Sequence, residues 1–112
     1  MAKIQITPAE GKWVIRAGGA VLGESSAALE LHEDGRKPVI YFPRDSVAMA
    51  FFDRSQTVTT CPHKGEASHF TLHTKSTEIP DAAWSYENPM GELSQIKGYL
   101  AFYTDKVTLE RQ

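Results

Sequence analysis

The sequence predicts an all-β protein, two packed antiparallel sheets or a partly open barrel with at most one short helix, on three observations. Runs of β-branched and aromatic residues recur at strand length along the chain. Gly, Pro, Asn and Asp punctuate them at short intervals. A single segment, 45–52, spaces its apolar residues as a helix would, and it is only roughly two turns long.

The amino-terminal Met-Ala-Lys-Ile-Gln-Ile-Thr-Pro reads as a strand. Lys12 to Ala17 has a β-branched and aromatic centre, and Gly18-Gly19 interrupts it before Ala20-Val21-Leu22, the pattern of a hairpin. Residues 27–33 place Leu29 and Leu31 on one face and Glu30 and His32 on the other, and Asp34-Gly35 turns the chain into Pro38 to Phe42. Pro43-Arg44-Asp45-Ser46 opens the helical piece, with Asp45 as its expected cap and Val47, Ala50 and Phe51 on one side, in the form of a single 3₁₀ or α turn at the least. Thr57–Thr60, Ala67–His73, Ala82–Tyr86, Tyr99–Tyr103 and Lys106–Glu110 bring the expected strands to about nine, joined by turns at 62–65, 80–81, 88–91 and 104–105.

One domain is expected over residues 1–112, because a single core of this size buries roughly two-thirds of the unfolded surface while two halves would each be marginal. A net charge of −2 and a longest cationic cluster of Arg36-Lys37 speak against nucleic acid. No apolar run approaches the ~20 residues that span a bilayer, and no apolar leader follows the first lysine, so no membrane partner is expected. The lone cysteine agrees with a reducing compartment, and a cytoplasmic setting is expected.

The densest chemistry lies in Thr59-Thr-Cys-Pro-His-Lys-Gly-Glu-Ala-Ser-His-Phe70. A cation three residues from Cys61 across a tight turn is one way to favour a thiolate, against the plainer role of a small buried hydrophobe at a strand end. His69 and His73, four apart on one strand, stand about 13 Å apart at roughly 3.3 Å per residue, too far for one zinc ion. No metal and no cofactor are therefore expected, and neither Gly18-Gly19 nor Lys64-Gly65 fits a phosphate-binding loop. Trp84 and Tyr86 share a face by alternation. Glu30, between two leucines, faces either water or a pocket, whereas Glu33-Asp34 precedes a turn and is expected to be solvated.

Four blocks, Val39 to Val47, Cys61 to Ser68, Ala83 to Pro89 and Ile96 to Tyr103, together resemble the uncharacterised domain-of-unknown-function family 427 over residues 12–110. The resemblance implies a Mss4-like, or β-tent, architecture in which antiparallel sheets lean together over a groove. It further implies motif residues at Tyr41, Arg44, Asp45, Cys61, Lys64, Gly65, Trp84, Tyr86 and Tyr103. His63 and His69 stand where that family usually has aromatic residues.

Cations, an acceptor, aromatic walls and a thiol suit a small anionic or planar ligand, because the walls exclude water while the cations fix a carboxylate or phosphate. The expectation is a small-molecule-binding domain near the Cys-Pro-His-Lys-Gly turn, with Tyr41, Arg44, Asp45, Lys64, Trp84, Tyr86 and Tyr103 as ligand contacts. It requires Lys64 and Arg44 to point into one hollow. Whether Cys61 or Lys64 makes it an enzyme stays open. The alternatives are a non-catalytic protein-interaction module, with homodimerisation open, and a thiol-redox role for Cys61 that would need an external thiol.

Overall fold

The computed structural model describes residues 3–112 as ten antiparallel strands in three sheets, with no α-helix among the described residues. Strands β1 (Ile4–Pro8), β4 (Leu29–Glu33) and β5 (Val39–Tyr41) form one sheet in the order β1-β4-β5. Strands β2 (Trp13–Ala17), β3 (Ala20–Ser25) and β10 (Thr108–Arg111) form a second in the order β10-β2-β3. The third, in sequential order, joins β6 (Phe52–Cys61), β7 (Gly65–His73), β8 (Glu78–Ser85) and β9 (Ala101–Phe102). Isolated bridges tie the sheets together at Phe42↔Leu100 and Gly23↔Val47.

Alternation along β7, β8 and β9 explains why the third sheet carries a core on each face. Phe70, Leu72, Ala83 and Phe102 pack with Ile15, Leu22 and Phe42. Ala67, Tyr86 and Ala101 pack with Leu31, Tyr41, Leu93 and Ile96. β5 serves both cores, sending Ile40 one way and Tyr41 the other.

The expected helical segment is two 3₁₀ turns, Arg44–Ser46 and Met49–Phe51, and a third 3₁₀ stretch spans Gly91–Ile96. Asp45 lies inside the first turn, and that turn has no side-chain cap, so its expected capping role is not what the structure shows. Strand β6 begins five residues earlier than the expected Thr57, and β9 shrinks to a pair of residues. The register of β6 slips between Arg54 and Val58, which breaks the alternation that would mark the start of the strand in the sequence.

Candidate functional site

A hollow of about 210 Å³ opens between the β1-β4-β5 sheet and the face of the third sheet that carries Trp84. It is lined by Leu31, Glu33, Arg36, Lys37, Val39, Tyr41, Thr59, Cys61, Lys64, Trp84, Tyr86 and Tyr103. The chain delivers these groups through three devices.

The first is the β6–β7 hairpin. Cys61 pairs with Gly65, and the three residues between them close a turn in which the Lys64 amide donates to the Cys61 carbonyl at 3.2 Å. Pro62 presets the backbone angle the turn needs, and Gly65, at φ +106°, takes a conformation that L side chains rarely adopt. The Met90 amide, donating to the Lys64 carbonyl at 3.1 Å, pins the turn to the segment before the third 3₁₀ stretch. Cys61 is half-buried and its thiol is free.

The second is the β4–β5 connection. Leu31 and Glu33 share one face of β4, and both are buried. The Arg36 amide donates to the Glu33 carbonyl at 3.0 Å across a turn whose Gly35 sits at φ +79°, so Arg36 and Lys37 arrive at the rim of the hollow. Glu30, expected to face either water or a pocket, is half-buried on the opposite face from Leu31 and lies 3.2 Å from His32.

The third is the stack of aromatic rings. Trp84 Nε1 donates to the Tyr41 hydroxyl at 3.4 Å, with the rings edge to face. Tyr103 lies against Trp84 with ring centroids 4.5 Å apart, and its hydroxyl is 3.0 Å from His69 Nε2. Burial pushes the Tyr41 and Tyr103 hydroxyls up from the usual phenol range and Tyr86 up to about 12. These three tyrosines are therefore neutral hydrogen-bonding groups at physiological pH.

Lys64 and Glu33 form an ion pair at 2.7 Å with side chains only 9% and 7% exposed. The Lys64 hydrogen bond, outweighing burial, holds the Glu33 carboxyl below the ordinary carboxylate range. Glu33 is thus buried rather than solvated, against the expectation drawn from the turn after it. The pair also redirects Lys64, since its ammonium is committed to Glu33. A Schiff base at this amine would require giving up that bond, and the turn aims the charge at the Glu33 carboxylate.

The structure thus gathers Tyr41, Cys61, Lys64, Trp84, Tyr86 and Tyr103 at one hollow. It does not bring Arg44 and Asp45 there. Arg44 Nε donates to the Gly98 carbonyl at 2.9 Å, and its Nη2 reaches Ser85 Oγ at 3.3 Å and Glu87 at 3.1 Å. Ser85 follows Trp84 on β8 and so points to the opposite face of the sheet. There Arg44 and Arg54 both lie over the Phe70 ring, each 5.4 Å from its centroid, and share Glu87. Burial raises the Glu87 carboxyl, but the hydrogen bonds from Arg54 and Ser68 and the two guanidiniums outweigh it and hold the group below its usual range. Arg44 is a strut across this face, and Asp45 is exposed beside it on a separate open recess. The requirement that Lys64 and Arg44 share one hollow fails for this reason, and Arg36 and Lys37 are the cations the hollow has instead.

Sequence reasoning missed Glu33 as well as Arg36 and Lys37. The signal for Glu33 was present, because it continues the inward phase of Leu29 and Leu31. Among the described residues no group of three His, Cys, Asp or Glu side chains comes together as a metal site. A larger recess of about 500 Å³ runs past Ile4, Ile6, His63 and Met90, but it has no buried ion pair and no convergent aromatic wall. A family model described as Domain of unknown function (DUF427) matches residues 5–112. No curated protein matches the chain.

Proposed function

The chain belongs to the family described as Domain of unknown function (DUF427), whose description names no activity, and on that premise we propose that the protein is a small-molecule-binding domain whose ligand is small and anionic or planar. The observation that carries this reading is the convergence of Tyr41, Trp84, Tyr86 and Tyr103 with Arg36, Lys37 and the buried Lys64–Glu33 pair on a single hollow. Aromatic walls exclude water and give a flat ligand something to lie against. Three cations against one carboxylate leave the hollow positive, so an anion is favoured there. Lys64 orders the floor through Glu33, and the rim cations Arg36 and Lys37 meet the charge. The same reading takes the sheets as leaning in β-tent fashion over this groove, and sets the protein in the cytosol on the ground of its unpaired cysteine.

Thermal-shift screening of a panel of small metabolites tests the reading, since a ligand that binds only the native state raises its melting temperature by mass action. Thr59→Trp, at an exposed lining position, fills the hollow while leaving both members of the buried pair in the sequence. At least one anionic compound is expected to stabilise the wild type and not the variant. A panel without effect, or the same shift in both proteins, would contradict the proposal.

One observation favours a second reading, the protein-interaction module. β6 pairs only with β7 among the described residues, and Val58 on it is 57% exposed. The slipped register and the charged Asp53 and Arg54 discourage edge-to-edge pairing, which places this reading second.

A further inference from the structure

A second chamber of about 320 Å³ adjoins the hollow, and Lys37, Val39, Trp84 and Tyr103 line both. The two differ in character. The first holds four charged side chains, Glu33, Arg36, Lys37 and Lys64, whereas the second is walled by Ile15, Ile40, Phe42, Phe102 and Leu109 with Asp105 at its rim. Trp84 and Tyr103 are only half-buried, and part of each side chain is accessible where the two chambers meet.

Tyr103 adds a direction. His69 is buried, and its Nδ1 is the one buried side-chain nitrogen or oxygen without a hydrogen-bond partner among the described residues. An unpaired buried N–H is costlier than an unpaired acceptor, so the proton belongs on Nε2, which then donates to the Tyr103 oxygen. That tautomer leaves the Tyr103 O–H proton free to donate to an anion in the polar chamber.

Building on the reading of the hollow as an anion site, we propose that the two chambers form one cleft for an amphipathic carboxylate, its carboxylate accepting from Tyr103 beside Lys37 and its aryl or unbranched acyl body lying in the apolar chamber. The shared wall joins the chambers, the cations set the charge of one end, and the hydrocarbon lining sets the character of the other. An inorganic anion would leave the apolar chamber wet, and an uncharged alcohol would leave the cations unmet.

Calorimetric titration with acetate, butanoate, hexanoate, octanoate, octanol and inorganic phosphate, on the wild type, Tyr103→Phe, Thr104→Trp and Thr59→Trp, tests this. Thr104 is exposed and lines the apolar chamber alone, so its replacement by Trp plugs that chamber. Affinity is expected to rise about fourfold per added methylene until the chamber is full, with octanol at least tenfold weaker than octanoate. Thr104→Trp should flatten the chain-length series to within about twofold, and Tyr103→Phe should weaken octanoate about tenfold while leaving octanol unchanged. Equal affinity along the series, or an unflattened series in Thr104→Trp, overturns the two-chamber proposal. If acetate or phosphate still binds the wild type and is lost in Thr59→Trp, the anion-site reading survives that failure. Binding of every compound unchanged in Thr59→Trp, or no saturable binding by the wild type, overturns both.

Discussion

Glu33 decides the electrostatics of the site although its sequence neighbours disguise it. Asp34 and Gly35 make a turn, and a carboxylate before a turn is normally solvated, but strand alternation carries the inward phase of Leu29 and Leu31 one residue further into the hollow. Arg44 shows the reverse case. It stands in a motif with Tyr41, yet its partners Ser85 and Glu87 follow the other parity of β8, and only the fold reveals which face it braces. Removing one partner of the buried pair leaves the other charge unmet, so Lys64→Met or Glu33→Leu alone is expected to cost about 3–5 kcal/mol, while the double variant recovers most of it. The pH dependence follows from the lowered Glu33 pKa. The pair's contribution is present above the ordinary value of 4.5 and is lost as pH falls through the lowered folded value. Urea unfolding between neutral and acid pH should therefore show less acid sensitivity in the double variant than in the wild type. Additive losses in the double variant would mean that the two charges do not act as a pair.

At the scale of elements, the β6–β7 hairpin holds the site together, and its turn was legible because Pro and Gly have fixed uses there. The strand leading into it was not. Asp53 to Gln56 is polar, and the slipped register leaves Ser55 and Thr57 to hydrogen-bond the Asp81 carboxylate at 2.5 and 2.7 Å instead of continuing the ladder. Asp81 itself is at φ +49°, a left-handed position on β8 that alternation alone does not announce. Gly65 allows a direct check. An added Cβ would meet nothing closer than 3.6 Å, so the cost of Gly65→Ala is backbone strain, on the order of 1–3 kcal/mol. Chemical denaturation measures it, and a neutral substitution would show that the turn relaxes freely.

Across the molecule, three sheets among the described residues enclose two cores, and the antiparallel all-β character was readable from the strand runs and their punctuation. What the one-dimensional pattern left out was which faces meet. Tyr41, Cys61, Lys64, Trp84, Tyr86 and Tyr103 come from β5, the β6–β7 hairpin, the end of β8 and the residue after β9, and their convergence depends on β5 crossing between two cores. The separation of Arg44 from Lys64 by the third sheet depends on the same geometry. The hollow is therefore a property of sheet packing, and a ligand recognised there must report on all of these segments together. The most direct test is a magnetic-resonance titration of the isotope-labelled chain with benzoate, following backbone amides and indole N–H groups. The account predicts one saturable site that moves the Trp84 indole and the amides of Cys61, Lys64, Tyr86 and Tyr103 and leaves those of Arg44 and Gly98 in place. Saturable shifts centred on Arg44 and Gly98, or no saturable shift at all, would contradict it.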